Sequence, residues 1–191
     1  MRVLLVRHGE TAWSRTGQHT GRTDIPLTEA GRREAEHLPA AIAGFDLALV
    51  LVSPLRRALE TARIMGLGEA RVCDDLVEWD YGDYEGRTTA EIRVERPRWS
   101  LWTDGCPGGE DAAAVGARAD RVLLEVRAAA GDVALVAHGH LLRVLTARWL
   151  ARPPGEGRLY RLDAAAVSHL GYEHEQPVIA LWNSRALLVE A

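Results

Sequence analysis

The sequence predicts an α/β fold with three layers: a mostly parallel sheet, helices on both of its faces, an antiparallel edge and a small cap region. Two observations predict it. Three short runs rich in valine and leucine, at residues 2–6, 47–52 and 132–137, have the continuous apolar character of parallel strands covered on both faces. Helical patterns separate these runs, and that alternation is typical of strand–helix–strand units.

The helical segments are bounded by residues that favour helix ends. Thr28 before Glu29 predicts an N-terminus, and the helical pattern continues to Gly44, which predicts a stop. Pro54 fits the first turn of the next helix because its missing N–H is not needed there, and Gly66 predicts the end of that helix. The predicted helices are 28–44, 54–66, 110–130 and 140–151.

The remaining segments predict an antiparallel edge and a cap. Residues 167–183 resemble two strands joined by a turn around Glu175–Pro177, and such a pair adds antiparallel edges to the sheet. Residues 68–109 contain glycine, tryptophan and proline with weak periodicity, so we expect a cap excursion laid over the sheet. The chain is predicted to be one domain, residues 1–191, with the cap at about 68–109.

Composition excludes several function classes. A net charge of −4, from 23 basic and 27 acidic residues, provides no general basic surface for nucleic acid or a membrane. Cys73 and Cys106 are too few for a disulfide framework or a zinc site, so reduced thiols are expected. The N-terminal apolar run is too short for a secretory signal, and no run reaches the length of a membrane span. We expect a cytoplasmic protein.

The residues that follow the predicted strands indicate a phosphate site. Arg7 and His8 follow the first strand, Arg56 and Arg57 lie just beyond the second, and His138 follows the third. Ligands of α/β sheets bind outside the carboxyl ends of the strands, so these side chains are predicted to share one edge. Arginine forks and helix N-termini both bind phosphate.

A histidine at this edge can act as a nucleophile towards phosphorus. Attack by imidazole gives a phosphohistidine that water then hydrolyses, and nearby arginines keep the ring neutral and supply positive charge. No carboxylate lies at ligand spacing from either histidine, so no metal or other cofactor is expected. The leaving alkoxide needs a proton donor. The cap block LVEWDYGDYEG offers Glu78, Asp80, Asp83 and Glu85, and spacing alone does not choose among them.

Five blocks resemble the histidine phosphatase superfamily, the phosphoglycerate mutase-like proteins. They are LLVRHGET (4–11), TGRTDIPLTEAG (20–31), SPLRRALETA (53–62), LVEWDYGDYEG (76–86) and AHG (137–139). The resemblance implies the following roles: His8 as the phosphorylated nucleophile, Arg7 and Arg57 as phosphate ligands, His138 as the second histidine of the catalytic and phosphate-binding pocket, and Glu78 as the proton donor. Arg56 is expected to face solvent.

Contacts to the rest of the substrate are expected from the first loop and the cap. Thr20 and Gly21 match a family loop whose backbone touches substrate. Ser14, Gln18, Arg22 and Tyr81 are the further candidates. His140 is predicted either to cap its helix or to contact substrate, and His19 is expected to be an exposed loop residue.

The pattern is most similar to sugar bisphosphatases and bacterial acid phosphatases of the family. Ser14 and Thr89 stand where the mutases carry asparagine and lysine, which favours hydrolysis. We therefore predict a metal-independent phosphatase acting on phosphomonoesters of small metabolites, either sugar phosphates and bisphosphates or a broader acid phosphatase range. The alternatives are a phosphoglycerate mutase, a non-catalytic phosphate-binding module and, disfavoured by the cap, a protein-phosphohistidine phosphatase. The expected partner is a small phosphorylated metabolite, and the resemblance allows a homodimer.

Overall fold

A computed structural model describes residues 1–185 and contains a six-stranded sheet in the order β3-β2-β4-β1-β5-β6. The strands are β1 (Val3–Arg7), β2 (Leu47–Val52), β3 (Arg71–Val72), β4 (Asp132–Ala137), β5 (Val167–Glu173) and β6 (Gln176–Ser184). The first four are parallel, and β5 and β6 add two antiparallel strands beside β1. The predicted α/β class and its antiparallel edge are confirmed. Residues 186–191 of the predicted domain lie outside the described residues.

The sheet is covered on both faces because alternate strand residues enter different cores. Val3 and Leu5 of β1 belong to a core that contains residues of the later helices and the cap. Leu4 and Val6 belong to a second core on the opposite face. Since neighbouring side chains of a strand point to opposite faces, a strand that is buried twice needs an unbroken apolar run.

Seven helices surround the sheet within the described residues. They are α1 (Ala12–Thr16), α2 (Glu29–Glu36), α3 (Arg56–Ile64), α4 (Thr89–Glu95), α5 (Leu101–Asp104), α6 (Ala112–Ala128) and α7 (Gly139–Trp149). The Thr28 hydroxyl caps α2 by accepting from the N–H of Gly31, as its position predicts. The helix ends at Glu36 rather than at Gly44, because Pro39 lacks the N–H that a continued α-helix needs, and a 3-10 turn follows. No helix in residues 1–185 has the length and apolar character required to span a membrane.

The cap differs from its predicted bounds at its start. Arg71 and Val72 form the edge strand β3 beside β2, so the excursion begins after them. A two-residue strand is too short to show an alternating pattern. Beyond it, the cap is built from short 3-10 turns and the helices α4 and α5, and Trp79 and Trp99 are its buried apolar centre. The edge hairpin turns at His174, whose φ of 53° is left-handed, and Pro177 lies within β6.

Candidate active site

A cavity of about 260 Å³ opens where β1 and β4 end, beneath the cap. Seven of the residues predicted from the sequence line it: Arg7, His8, Ser14, Gln18, Thr20, Glu78 and Tyr81. Arg7 and His8 come from the end of β1, the following helix and loop supply three, and the cap supplies two. The structure therefore brings together residues 7–20 and residues 78–81, two stretches that are far apart along the chain, around one mostly polar cavity.

His8 is held at the end of β1 in one orientation. Its backbone N–H donates to the carbonyl of Ala137 on β4, and its side chain is only 5% exposed. The ring Nδ1 lies 2.7 Å from the carbonyl oxygen of Gly9. A carbonyl can only accept, so Nδ1 carries the proton and Nε2 keeps its lone pair.

The surroundings of His8 favour the neutral imidazole. Burial is the main cause that lowers its pKa well below the ordinary value, and the positive charges of Arg57 and Arg7 lower it further. The hydrogen bond to Gly9 acts in the opposite direction and is the weakest of these influences. His8 is thus a neutral base at physiological pH, with Nε2 available as a nucleophile.

The loop that carries His8 is fixed by a close contact between two glycines. A Cβ on Gly9 would lie 2.3 Å from the carbonyl oxygen of Gly31 in α2, which leaves no room for a side chain. The N–H of Gly9 donates to the hydroxyl of Thr61 in α3. Two helices therefore anchor the chain directly after the nucleophile.

Arg57 and His138 form a buried pair beside His8. Arg57 is fully buried, and its Nε donates to Nδ1 of His138 at 3.2 Å. Arginine can only donate, so Nε2 of His138 carries the proton and donates to the hydroxyl of Ser53 at 2.7 Å. The His138 ring lies edge-on to His8, with centroids 5.1 Å apart. Burial, followed by the charge of Arg57, lowers the pKa of His138 well below its usual value.

Arg57 also holds the loop that passes over it. Its two terminal nitrogens donate to the backbone carbonyls of Thr20, Gly21 and Thr23. Burial lowers its pKa, and Glu78 is the largest opposing influence. Arg56, the preceding residue, is exposed to solvent, as expected.

Arg7 lines the cavity at the end of β1. One terminal nitrogen donates to the carbonyl of Leu162 at 2.5 Å, whereas the buried Nε finds no acceptor among the described residues. Gly139, the first residue of α7, makes room for the guanidinium, because a Cβ there would lie 3.2 Å from its Cζ. An anion bound in the cavity would meet the positive charge of this guanidinium.

Glu78 is the cap acid that reaches the cavity. Its Oε1 accepts from the backbone N–H groups of Trp79 and Leu141, both at 2.9 Å, and its Oε2 accepts from the N–H of His140 at 3.0 Å. The carboxyl group thus lies against the N-terminus of α7, where unpaired N–H groups and the helix dipole hold it.

The other three acids of the cap block have different surroundings. Asp80 pairs with Arg22, Glu85 accepts from the N–H groups of Gly21 and Thr23, and Asp83 is exposed. Of these four acids, Glu78 is the one that lines the cavity.

Two predicted substrate contacts lie away from the cavity lining. Gly21 is buried, and its carbonyl faces Arg57. Arg22 is exposed, pairs with Asp80, and lines a separate groove with Pro54 and Leu55. Its position next to the matching loop was no guide to the direction of its side chain.

Sequence reasoning missed or underrated three residues of the lining. His19 was expected to be exposed, but it is buried, stacks 4.7 Å from Tyr81, and burial lowers its pKa to about 4. The Nδ1 of His140 lies 2.5 Å from the Tyr81 hydroxyl. Arg143 also lines the cavity, and burial lowers its pKa to about 10. The signal for Arg143 is its position four residues after Gly139, on the same helix face.

Known proteins resemble this chain in both sequence and structure. The model of the histidine phosphatase superfamily (branch 1) matches residues 3–185. An acid phosphatase of Mycobacterium tuberculosis is 44% identical over 91% of this chain and 87% of its own length. The sedoheptulose 1,7-bisphosphatase of Saccharomyces cerevisiae is 35% identical over 78% of this chain and 67% of its own length. A solved mycobacterial glucosyl-3-phosphoglycerate phosphatase superposes with a TM-score of 0.85 at 30% identity, covering 96% of this chain and 98% of that one.

Proposed function

Because this chain belongs to the histidine phosphatase superfamily, we propose that it hydrolyses phosphomonoesters of small metabolites through a phosphohistidine formed on Nε2 of His8. Its class is phosphoric monoester hydrolase, as for its phosphatase-named relatives. The observation that carries the proposal is the hydrogen bond from Nδ1 of His8 to the Gly9 carbonyl, which leaves Nε2 unprotonated at a cavity wall that also presents Arg7.

In the first step the phosphoryl group binds against Arg7, and Nε2 of His8 attacks phosphorus. The bond between phosphorus and the ester oxygen breaks, and Glu78 gives its proton to the departing alcohol. In the second step Glu78 takes a proton from water, the water oxygen attacks phosphorus, and the bond to Nε2 breaks. Inorganic phosphate leaves, and both His8 and Glu78 return to their starting states.

The charges of the site support both steps. Arg7 and Arg57 flank His8, and positive charge stabilises the transferring phosphoryl group. His138 holds Arg57 in place through its Nδ1 and is the second histidine of the proposed phosphate pocket. Of the two Glu78 oxygens, Oε1 accepts two backbone hydrogen bonds and Oε2 accepts one, so Oε2 has the capacity to carry the transferred proton.

The substrate is proposed to be a small hydroxylated phosphate ester, such as a sugar phosphate or bisphosphate, or the wider range of an acid phosphatase. Several of the side chains that line the cavity are neutral and form hydrogen bonds. They are Ser14, Gln18, Thr20, Tyr81 and Thr89. Thr89 interacts with His19 at 3.3 Å and offers no charge to a second phosphate, which favours hydrolysis over the mutase reaction.

Further properties belong to the same proposal. A small phosphorylated metabolite is the partner that the cavity size favours. We propose that the protein acts in the cytoplasm, where such metabolites occur. We also propose that the chain folds as a single domain with a cap, and that it forms a homodimer, as the family resemblance allows. The two cysteines are free, which agrees with a reducing compartment.

The first test is phosphate release from sugar bisphosphates, 3-phosphoglycerate and an aryl phosphate, with a chelator present. We expect turnover by the wild type and at least a thousandfold lower activity in His8→Ala, since the covalent route is lost. His37→Ala is the matched control, because His37 lies at the end of α2, away from the cavity lining. Rapid alkaline quenching should trap a phosphorylated wild-type protein.

Equal activity of His8→Ala and the wild type would contradict the phosphohistidine route. A folded wild type that releases no phosphate from any substrate would contradict hydrolysis, and isomerisation of 3-phosphoglycerate would then identify a mutase.

A further inference from the structure

A mostly buried ion pair between α6 and the residues just before it contacts the segment of the cap that carries Glu78. Arg118, in α6, donates from Nε and Nη2 to the two carboxylate oxygens of Glu110, each at 2.8 Å. The Arg118 and Glu110 side chains are 15% and 17% exposed. A buried pair contributes little net stability, because the loss of hydration offsets the attraction. The main effect of this ion pair is to hold the neighbouring backbone of the cap in place.

Arg118 binds the backbone that leads to Glu78. Its Nη1 donates to the carbonyls of Asp75 and Val77 at 2.8 and 2.9 Å, and its Nη2 lies 3.4 Å from the carbonyl of Glu78 itself. One planar guanidinium therefore contacts three carbonyl groups within four consecutive residues. Such a fork fixes direction as well as distance, which a lysine cannot do.

Glu110 binds the backbone that follows Glu78. Its carboxylate accepts from the N–H of Asp80, and its own N–H donates to the carbonyl of Asp80, both at 2.9 Å. Its carbonyl accepts from the indole N–H of Trp79 at 2.9 Å. The two members of the pair thus hold the chain on either side of Glu78.

We propose that Arg118 and Glu110 are positioning residues that aim the Glu78 carboxyl group at the ester oxygen of the substrate. The inference rests on the proposed function, in which Glu78 donates the proton. Arg118 and Glu110 hold the backbone on both sides of Glu78. In that position the Glu78 carboxylate accepts hydrogen bonds from N–H groups in the first turn of α7 and lies at the cavity wall. Proton transfer needs hydrogen-bond distance, and a displacement of about 1 Å can cost about a hundredfold in rate.

Leaving-group dependence separates positioning from a purely structural effect. An alkyl alkoxide needs the proton of Glu78 to depart, whereas p-nitrophenolate departs well without it. A misplaced Glu78 therefore slows alkyl esters selectively. General damage to the site or to the fold slows both kinds of ester alike.

The experiment compares kcat/KM for glycerol 2-phosphate and p-nitrophenyl phosphate in Arg118→Lys, because this ratio covers the steps up to phosphoryl transfer to His8. We expect a fall of about tenfold to a hundredfold for the alkyl ester and less than about threefold for the aryl ester. Glu78→Gln should show the same selectivity with a larger loss. Arg121→Lys is the control. Arg121 lies one turn further along α6, and among the described residues its guanidinium pairs with the side chain of Asp75, at the surface of the same segment.

Each outcome decides between the hypotheses. Equal losses for both esters in Arg118→Lys, or no loss, overturn the positioning role. Selective loss in Glu78→Gln without selective loss in Arg118→Lys overturns it while leaving the proposed function intact. Absence of wild-type turnover counts against the proposed function itself. If Arg118→Lys fails to fold, Glu110→Gln weakens the same pair and keeps an oxygen for the N–H of Asp80, and the same selectivity is expected.

Discussion

At the residue scale, the site depends on which atoms already have partners within the protein. His8 uses Nδ1 on Gly9, and both nitrogens of the His138 ring are engaged, by Arg57 and Ser53. The groups left for a ligand at the cavity wall are Nε2 of His8 and the guanidinium of Arg7, of which one terminal nitrogen is engaged, by the carbonyl of Leu162. A nucleophile and a charged donor on one cavity wall are what capture of a phosphoryl group requires.

The position of Arg7 on the cavity wall leads to a prediction about phosphate affinity. Arg7→Lys keeps the charge but loses the planar fork, so the inhibition constant of inorganic phosphate should rise about tenfold or more. Competitive inhibition of p-nitrophenyl phosphate hydrolysis measures it. Arg15→Lys serves as the control, because Arg15 is an exposed residue of α1. An unchanged inhibition constant in Arg7→Lys would show that Arg7 does not bind the phosphate.

Residues in blocks with a recognisable pattern could be placed at the cavity from the sequence, whereas residues brought there by helix phase or by packing within the cap could not. Arg7, His8 and Glu78 line the cavity, and each belongs to such a block. His19 was misjudged because its burial depends on Tyr81 and Trp99, which approach from the cap. The sequence around His19 contains no pattern that predicts contacts with residues of the cap.

At the element scale, α2 acts as a support for the loop after β1. Gly9 and Gly31 meet backbone to backbone, and the carbonyl of Glu10 accepts from the N–H of Thr28. The sequence predicted that α2 begins after Thr28 but gave no sign that Gly31 packs against the catalytic loop. Gly31 is a glycine inside a helix, where glycine ordinarily costs stability.

The glycine contact predicts a stability change with a functional consequence. A Cβ on Gly31 would lie 2.2 Å from the carbonyl oxygen of Glu10, so Gly31→Ala must push the loop away from α2. We expect a loss of about 1–3 kcal/mol in the free energy of unfolding and reduced kcat/KM, as His8 shifts with the loop. Urea unfolding and the phosphatase assay measure the two effects.

The control for this prediction is Gly68→Ala, because nothing lies within 4 Å of a Cβ at that position. Its stability should be unchanged or slightly higher, since alanine restricts the unfolded chain. A Gly31→Ala protein as stable and active as the wild type would show that the loop adjusts without cost.

At the scale of the whole molecule, the sequence predicts the buried strands of the sheet but not the contacts that hold the cap, and the difference has one physical reason. Strands buried on both faces have a pattern of their own, as in β4, where all six residues are buried. The cap is held instead by specific contacts such as the Trp99 indole N–H to the carbonyl of Gly105 and the pair of Arg118 with Glu110. These contacts join residues whose spacing in the sequence matches neither the helical nor the strand repeat, so no sequence pattern predicts them.

Closing the cap over the sheet also buries four histidines together, and this predicts how stability depends on pH. Burial lowers the pKa of His8, His19, His138 and His140 in the folded protein, to about 4 for His19. In the unfolded chain these groups have a pKa of about 6.5. Below that pH the unfolded state binds protons that the folded state does not, so stability is complete above about pH 6.5 and falls as the pH decreases towards the folded pKa values.

Urea unfolding between pH 7.5 and 5 tests this, since most carboxylates stay ionised in that range. Each buried histidine should contribute a slope of up to about 1.4 kcal/mol per pH unit below pH 6.5. His19→Gln should remove one such contribution and make the pH dependence shallower, and His37→Gln, at a position outside the cavity lining, is the control substitution. A wild-type stability that is flat from pH 7.5 to 5 would mean that the buried histidines accept protons without unfolding. In that case the neutral Nε2 on which the proposed chemistry of His8 depends would be lost at acidic pH.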